Sequence, residues 1–137
     1  MNSEHQSQTL AQQLGFSAED ADQLCRFGCE LASAGQLDDA RVMFEGVLTL
    51  NPFDAVTRAA LGAVLQECGD IEAAERAYGE ALAIDPSTPI ARLNRGELRL
   101  KRGDAGGVDD LRVVADLNTS VGTRARAVLK QRASTGR

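Results

Sequence analysis

The residues of this chain best suited to chemistry are its three cysteines and its single histidine. Cys25 and Cys29 lie four residues apart, a spacing that puts both thiols on one face of a helix. Two thiols and the distant His5 fall short of the four ligands of a structural zinc site. An odd number of cysteines also argues against a disulfide framework. We therefore expect small buried or groove-lining thiols, with no metal and no cofactor.

An enzyme active site is not supported by the remaining residues. His5 is the only histidine, and the chain has no glycine-rich loop of the kind that binds nucleotides. The many carboxylates fall on what read as exposed helix faces, where solvation is a sufficient explanation. We expect a protein that binds partners and is not an enzyme.

Composition and charge favour closely packed helices. Apolar residues make up 43% of the chain, with no Trp and one Tyr, so Ala, Leu and Val must fill the core. The net charge of −5 is uneven: residues 1–91 carry 4 basic and 15 acidic side chains, whereas residues 92–137 carry 11 and 5. Because the whole chain is acidic, phosphates would repel it, and we expect no nucleic-acid partner.

The sequence also argues against membrane insertion. No apolar run reaches the roughly 18 residues that a membrane helix needs. Residues 1–13 are polar and rich in Gln, without the basic start and apolar stretch of a secretory signal. We expect a cytoplasmic protein.

A 34-residue period runs through the chain. The residue types that recur at this spacing are two sets of glycines, an alanine, an aromatic residue and a proline: Gly28, Gly62 and Gly96; Gly35, Gly69 and Gly103; Ala40 and Ala74; Phe44 and Tyr78; Pro52 and Pro86. This pattern resembles the tetratricopeptide repeat (TPR), in which each unit is a helical hairpin that must stack on its neighbours to bury its apolar face. We expect an all-α TPR solenoid of three helical hairpins with a C-terminal capping helix.

The period also sets the expected boundaries. Residues 1–15 form a tail or short helix, and residues 16–133 form a single TPR domain followed by a tail at 134–137. The repeats span about 21–54, 55–88 and 89–122, and the capping helix follows. Ser17 with Asp20 forms a weakened capping box that begins the first repeat helix, near Ala18.

Three features inside the repeats carry further expectations. The glycine at the eighth repeat position, such as Gly62, disfavours a helix, so its recurrence indicates close helix packing. Leu61 is expected at the centre of the second repeat's core. In the third repeat, Arg92, Arg95 and Arg99 replace large apolar residues, and we interpret them as the polar outer surface of a solenoid end.

The resemblance to TPR proteins implies that the first helix of each hairpin lines a concave groove. The residues at or beside the groove positions are expected to bind a partner: Cys25, Cys29, Val56, Ala59, Ala63, Gln66, Ile90, Leu93, Asn94, Glu97 and Leu100. Most are small or mildly apolar, while Gln66 and Asn94 can hydrogen-bond to the backbone of an extended segment. The alternative is that Ile90, Leu93 and Leu100 pack beneath the C-terminal helix.

A narrower resemblance is to the bacterial type III secretion chaperones that guard hydrophobic translocators. It rests on the stretch from Phe27-Gly28 to Phe44, on Leu61-Gly62-Ala63, and on Pro89 followed by Gly96-Glu97-Leu98. Leu31 departs from the family, which often has Tyr there. The resemblance implies a cytosolic chaperone whose groove holds an extended or helical client segment of apolar character, and a possible homodimer. The alternative is a generic TPR adaptor that assembles another multiprotein complex.

Overall fold

The computed structural model describes residues 8–135, and every regular element within them is an α-helix. The elements are α1 (Leu10–Gln13), α2 (Ala18–Ser33), α3 (Leu37–Leu50), α4 (Ala55–Glu67), α5 (Ile71–Ile84), α6 (Pro89–Lys101), α7 (Gly107–Ala115) and α8 (Ser120–Thr135). The predicted all-α class is confirmed. His5 and the ends of both predicted tails lie outside the described residues.

The helices pair into three hairpins, α2 with α3, α4 with α5 and α6 with α7. Along the stack α2 contacts α4, α4 contacts α6, and α6 contacts α8. These four helices form one layer, which we call the inner layer. The C-terminal helix α8 therefore occupies the position that the first helix of a fourth hairpin would take.

Local sequence signals begin and end these helices. The Ser17 hydroxyl accepts a hydrogen bond from the Asp20 N–H at 3.0 Å, and the Asp20 carboxylate accepts one from the Ser17 N–H at 2.8 Å, so the predicted capping box is confirmed. The first helix of every hairpin ends at a glycine in the left-handed region, with φ of 80° at Gly35, 88° at Gly69 and 79° at Gly103. Glycine adopts this conformation without a Cβ penalty.

The glycines at the eighth repeat position allow close packing within each hairpin. A Cβ built on Gly62 would lie 2.6 Å from the ring of Tyr78, and one built on Gly28 would lie 2.5 Å from the ring of Phe44. At Gly96 the neighbour is Leu111, at 2.9 Å. The predicted packing role is correct, and in the first two repeats the space is filled by an aromatic ring of the second helix.

The core is centred on these second-helix residues. Tyr78, Phe44 and Leu111 are among the largest fully buried side chains. Leu61 was expected at the core's centre, but it is only half-buried, where it packs against the cluster around Phe44. The prediction was wrong because Tyr78 fills the centre of the second hairpin beside Gly62.

The three arginines of α6 do not form an outer surface, which corrects the sequence-based expectation. Their side chains are only 16–27% exposed and converge on Asp110 of α7, whose side chain is 3% exposed. Arg92 and Arg99 lie 3.1 and 3.2 Å from its carboxylate oxygens. Arg99 also lies 3.1 Å from Glu75, which ties α6 to α5. The cluster thus replaces part of the apolar contact within the third hairpin, and Arg99 extends it to the second.

Candidate binding groove

An apolar pocket of about 260 Å³ lies in the inner layer between α2, α4 and α6. Six of the predicted groove residues line it: Cys25, Cys29, Val56, Ala63, Ile90 and Asn94. Ala32, Ala60 and Glu67, which were not among the predicted binding residues, also line it. The structure therefore brings together side chains from all three repeats, as the concave position of the first helices requires.

Small side chains form much of the wall of this pocket, and some of its apolar side chains are exposed to solvent. Ala60 and Ala63 on α4 leave room for larger side chains of a partner. Val56 is 57% exposed although it is apolar, and Cys29 is exposed as well. Unlike a single exposed apolar residue, exposed apolar side chains beside a concave pocket mark a surface suited to binding.

The thiol of Cys25 is held neutral in this pocket. Burial raises its pKa, and the neighbouring Thr57 hydroxyl only partly offsets that effect. A protonated thiol behaves as a small apolar group and reacts slowly, since the thiolate is the nucleophile. Cys25 therefore serves as part of the apolar wall.

Gln66 does not line the pocket and is engaged in a hydrogen bond with Tyr78. The Tyr78 hydroxyl donates to Gln66 Oε1 at 2.9 Å, and burial raises the pKa of Tyr78, so the phenol stays neutral. Gln66 was predicted to face the partner, but its carbonyl oxygen is already occupied. Asn94, on the neighbouring helix α6, does line the pocket.

Besides Gln66, two further predicted groove residues do not line a pocket. Ala59 has no exposed surface and packs in the core with Ala74 and Tyr78. Leu93 is 7% exposed and packs against Ala125 of α8, as the alternative interpretation expected. Their inclusion was wrong because repeat positions do not show how each helix is rotated against its neighbours.

A second pocket of about 400 Å³ lies between α6 and α8, further along the inner layer. Glu97 and Leu100, the last two predicted groove residues, line it together with Lys101. The opposite wall is formed by side chains of α8: Arg124, Val128, Gln131, Arg132 and Thr135. Sequence reasoning missed this wall because it treated the last helix only as a cap.

Two kinds of site are not found among residues 8–135. No three His, Cys, Asp or Glu side chains of this range are grouped as metal ligands would be. In the same range, no helix has both the length and the apolar character required to cross a bilayer.

Comparison with known proteins identifies the repeats. Residues 31–93 match the family model described as "Tetratricopeptide repeat". Over this stretch the chain is similar to tetratricopeptide repeat proteins. A comparison with curated protein sequences finds no significant match.

Solved structures of translocator chaperones share the fold of this chain. SycD, the type III secretion translocator chaperone of Yersinia enterocolitica, matches with a TM-score of 0.77 and 22% identity over 90% of this chain and 97% of its own. PcrH in complex with the chaperone binding region of PopD matches with a TM-score of 0.72 and 26% identity, covering 90% and 98%. PcrH in complex with the chaperone binding region of PopB matches with a TM-score of 0.68 and 28% identity, over 82% of this chain and 97% of its own. PcrH comes from Pseudomonas aeruginosa. The predicted resemblance to this family is confirmed.

Proposed function

We propose that this protein is a cytoplasmic, non-catalytic chaperone that holds an apolar segment of a hydrophobic type III secretion translocator in its groove. The observation that carries the proposal is the apolar pocket between α2, α4 and α6, which is open, lined by small side chains and drawn from all three repeats. A groove of this kind accepts one segment of a client and shields it from water.

The structural relatives support the same function. PcrH is known in complex with the chaperone binding regions of PopD and PopB. SycD is known with a peptide of the translocator YopD. Each covers 82–90% of this chain, so the likeness extends over the inner layer as well as the repeats' outer helices.

The function is tested by isolating the untagged protein from its native cells and identifying what copurifies by mass spectrometry. We expect a membrane-active translocator as the main partner. Recovery of another multiprotein assembly without a translocator would favour a generic TPR adaptor and contradict the proposal.

The groove is tested by placing a charge in it. Ala63 is partly exposed in the pocket, so Ala63→Glu should leave the fold intact and weaken client binding, because an apolar client offers no partner for the carboxylate. Ala83→Glu is the matched control, since Ala83 is exposed on α5, outside the inner layer. Equal binding by both variants would move the site away from the groove.

A further inference from the structure

The basic character of the pocket between α6 and α8 has no role in the function proposed so far. Lys101, Arg124 and Arg132 line it, whereas Glu97 is the only carboxylate among the described residues that line it. Arg124 is paired with Glu97, with Nε 2.7 Å from Oε1. Among residues 8–135, no ion pair involves Lys101 or Arg132. Within the described part of the chain, the pocket therefore carries two cations without an ion-pair partner, on a protein whose net charge is −5.

The same pocket also has an apolar part. Leu100 and Val128 line the pocket from its two walls and are both only half-buried. A cation beside partly exposed methyl groups suits a peptide side chain that ends in a carboxylate and rests its methylene groups on that apolar part. A nucleic acid is disfavoured, because the 15 acidic side chains of residues 1–91 lie on the same molecule.

The two pockets share one wall and are close enough for one peptide. Asn94 borders the apolar pocket and Lys101 the basic one, and both lie on α6. Seven residues of helix separate them, which is about 10 Å along the axis. Ile90, further back in the apolar pocket, is about 16 Å from Lys101. An extended peptide rises about 3.3 Å per residue, so three to five residues span this distance.

We propose that the client segment carries an Asp or Glu side chain about three to five residues from its apolar anchor, and that Lys101 and Arg132 bind this carboxylate in the pocket between α6 and α8. This inference rests on the proposed function and specifies the client's chemistry. The apolar pocket supplies the affinity for the anchor, while the basic pocket sets the register and discriminates among apolar segments.

The first experiment selects binders from random 12-residue peptides displayed on phage. We expect the unmodified protein to enrich peptides with an apolar anchor and an acidic residue about three to five positions away. The double variant Lys101→Gln/Arg132→Gln should keep the apolar anchor and lose the acidic preference. Lys130→Gln is the control, since Lys130 is exposed on α8 and lines neither pocket.

The second experiment measures the preference directly by fluorescence anisotropy. An enriched peptide is compared with the same peptide in which Glu or Asp is replaced by Gln or Asn. Exposed charge pairs contribute modestly, so we expect the acidic peptide to bind about 3–10-fold more tightly at low salt, with the ratio falling as salt is raised. The double variant should bind both peptides equally, with an unchanged circular dichroism spectrum.

The outcomes separate this inference from the proposed function. Peptides with an apolar anchor but no acidic preference would overturn the inference and leave the groove in place. Peptides that bind Ala63→Glu as tightly as the unmodified protein would overturn the groove itself. If the double variant converts a dimer to a monomer in light scattering, the pocket binds the acidic half of a second copy, and the inference is wrong.

Discussion

Arg95 holds both carboxylate oxygens of Asp110: its Nε lies 2.9 Å from Oδ2 and its Nη2 lies 2.7 Å from Oδ1. Burial alone would raise the pKa of Asp110, but the hydrogen bonds and positive charges of Arg95, Arg92 and Arg99 together outweigh it, and the pKa lies below its usual value. Arg92 and Arg99 approach the same carboxylate from either side. One carboxylate of α7 therefore pairs with three arginines of α6, and Glu75 of α5 supplies a second negative charge beside Arg99.

Removing this carboxylate should destabilise the third hairpin. Asp110→Asn leaves three partly buried arginines without their common partner, so we expect the free energy of unfolding to fall by about 3 kcal/mol in urea denaturation. Asp109→Asn is the control, because Asp109 precedes it in the same first turn but is exposed. Both variants lose the favourable charge at the helix N-terminus, worth about 0.3–1 kcal/mol. Equal losses of stability in the two variants would show that the arginine cluster adds nothing beyond the charge at the helix N-terminus.

The same carboxylate makes stability depend on pH. Because the pKa of Asp110 is lower in the folded protein than in the unfolded chain, its contribution is fully present above the unfolded value and is lost as pH falls through the folded value. We expect the difference in stability between the unmodified protein and Asp110→Asn to be constant from about pH 7 to pH 5 and to shrink below about pH 4. Urea titrations at several pH values measure it. A difference that persists in acid would contradict the ionised cluster.

Gly62 and Gly79 should respond in opposite directions to the same substitution. In Gly62→Ala the new methyl group would meet the fully buried ring of Tyr78 at 2.6 Å. Overpacking should outweigh the gain in helix propensity, so we expect a net loss of about 1–2 kcal/mol. A Cβ on Gly79 meets nothing within 4 Å, so Gly79→Ala should stabilise the protein by about 0.5–1 kcal/mol. Thermal unfolding of both variants measures these effects. If both substitutions stabilise the protein, Gly62 is not in close contact with the ring of Tyr78.

The three cysteines should differ in reactivity. Cys29 and Cys68 are exposed, whereas Cys25 is partly buried and its pKa is raised by burial. Because only the thiolate reacts readily, we expect iodoacetamide to modify Cys25 last, as followed by mass spectrometry of peptides. A bound client should protect Cys29 but not Cys68, which lies outside the apolar pocket. Protection of Cys68 alone would place the client elsewhere.

Self-association is predicted to involve the N-terminal apolar side chains. Leu14 is 63% exposed and Phe16 is 38% exposed. If these side chains form an interface, Leu14→Ser/Phe16→Ser should yield a monomer in light scattering at any salt concentration. A dimer that persists in this variant but dissociates as salt rises would indicate contact between the acidic and basic halves instead.

The helices and their order could be predicted from the sequence because the signals are local. Ser17 with Asp20 begins α2, and Gly35 ends it through a left-handed conformation. The 34-residue spacing then predicts which helices pair, since a hairpin of fixed length repeats its contacts. The recurrence of glycine also predicted that the two helices of a hairpin pack closely at Gly62, where the structure places the ring of Tyr78.

The content of the groove was decided only by the tertiary structure. Ala59 and Ala63 lie one turn apart on α4 and were equivalent by repeat position, yet the first is fully buried and the second lines the pocket. This difference in burial depends on how α5 and α6 pack against α4, which a local sequence pattern does not predict. Likewise Asp110 and Arg95 are 15 residues apart and meet only because α7 folds back on α6. Contacts of this kind depend on the rotation and approach of whole helices, and these are set by the packed core.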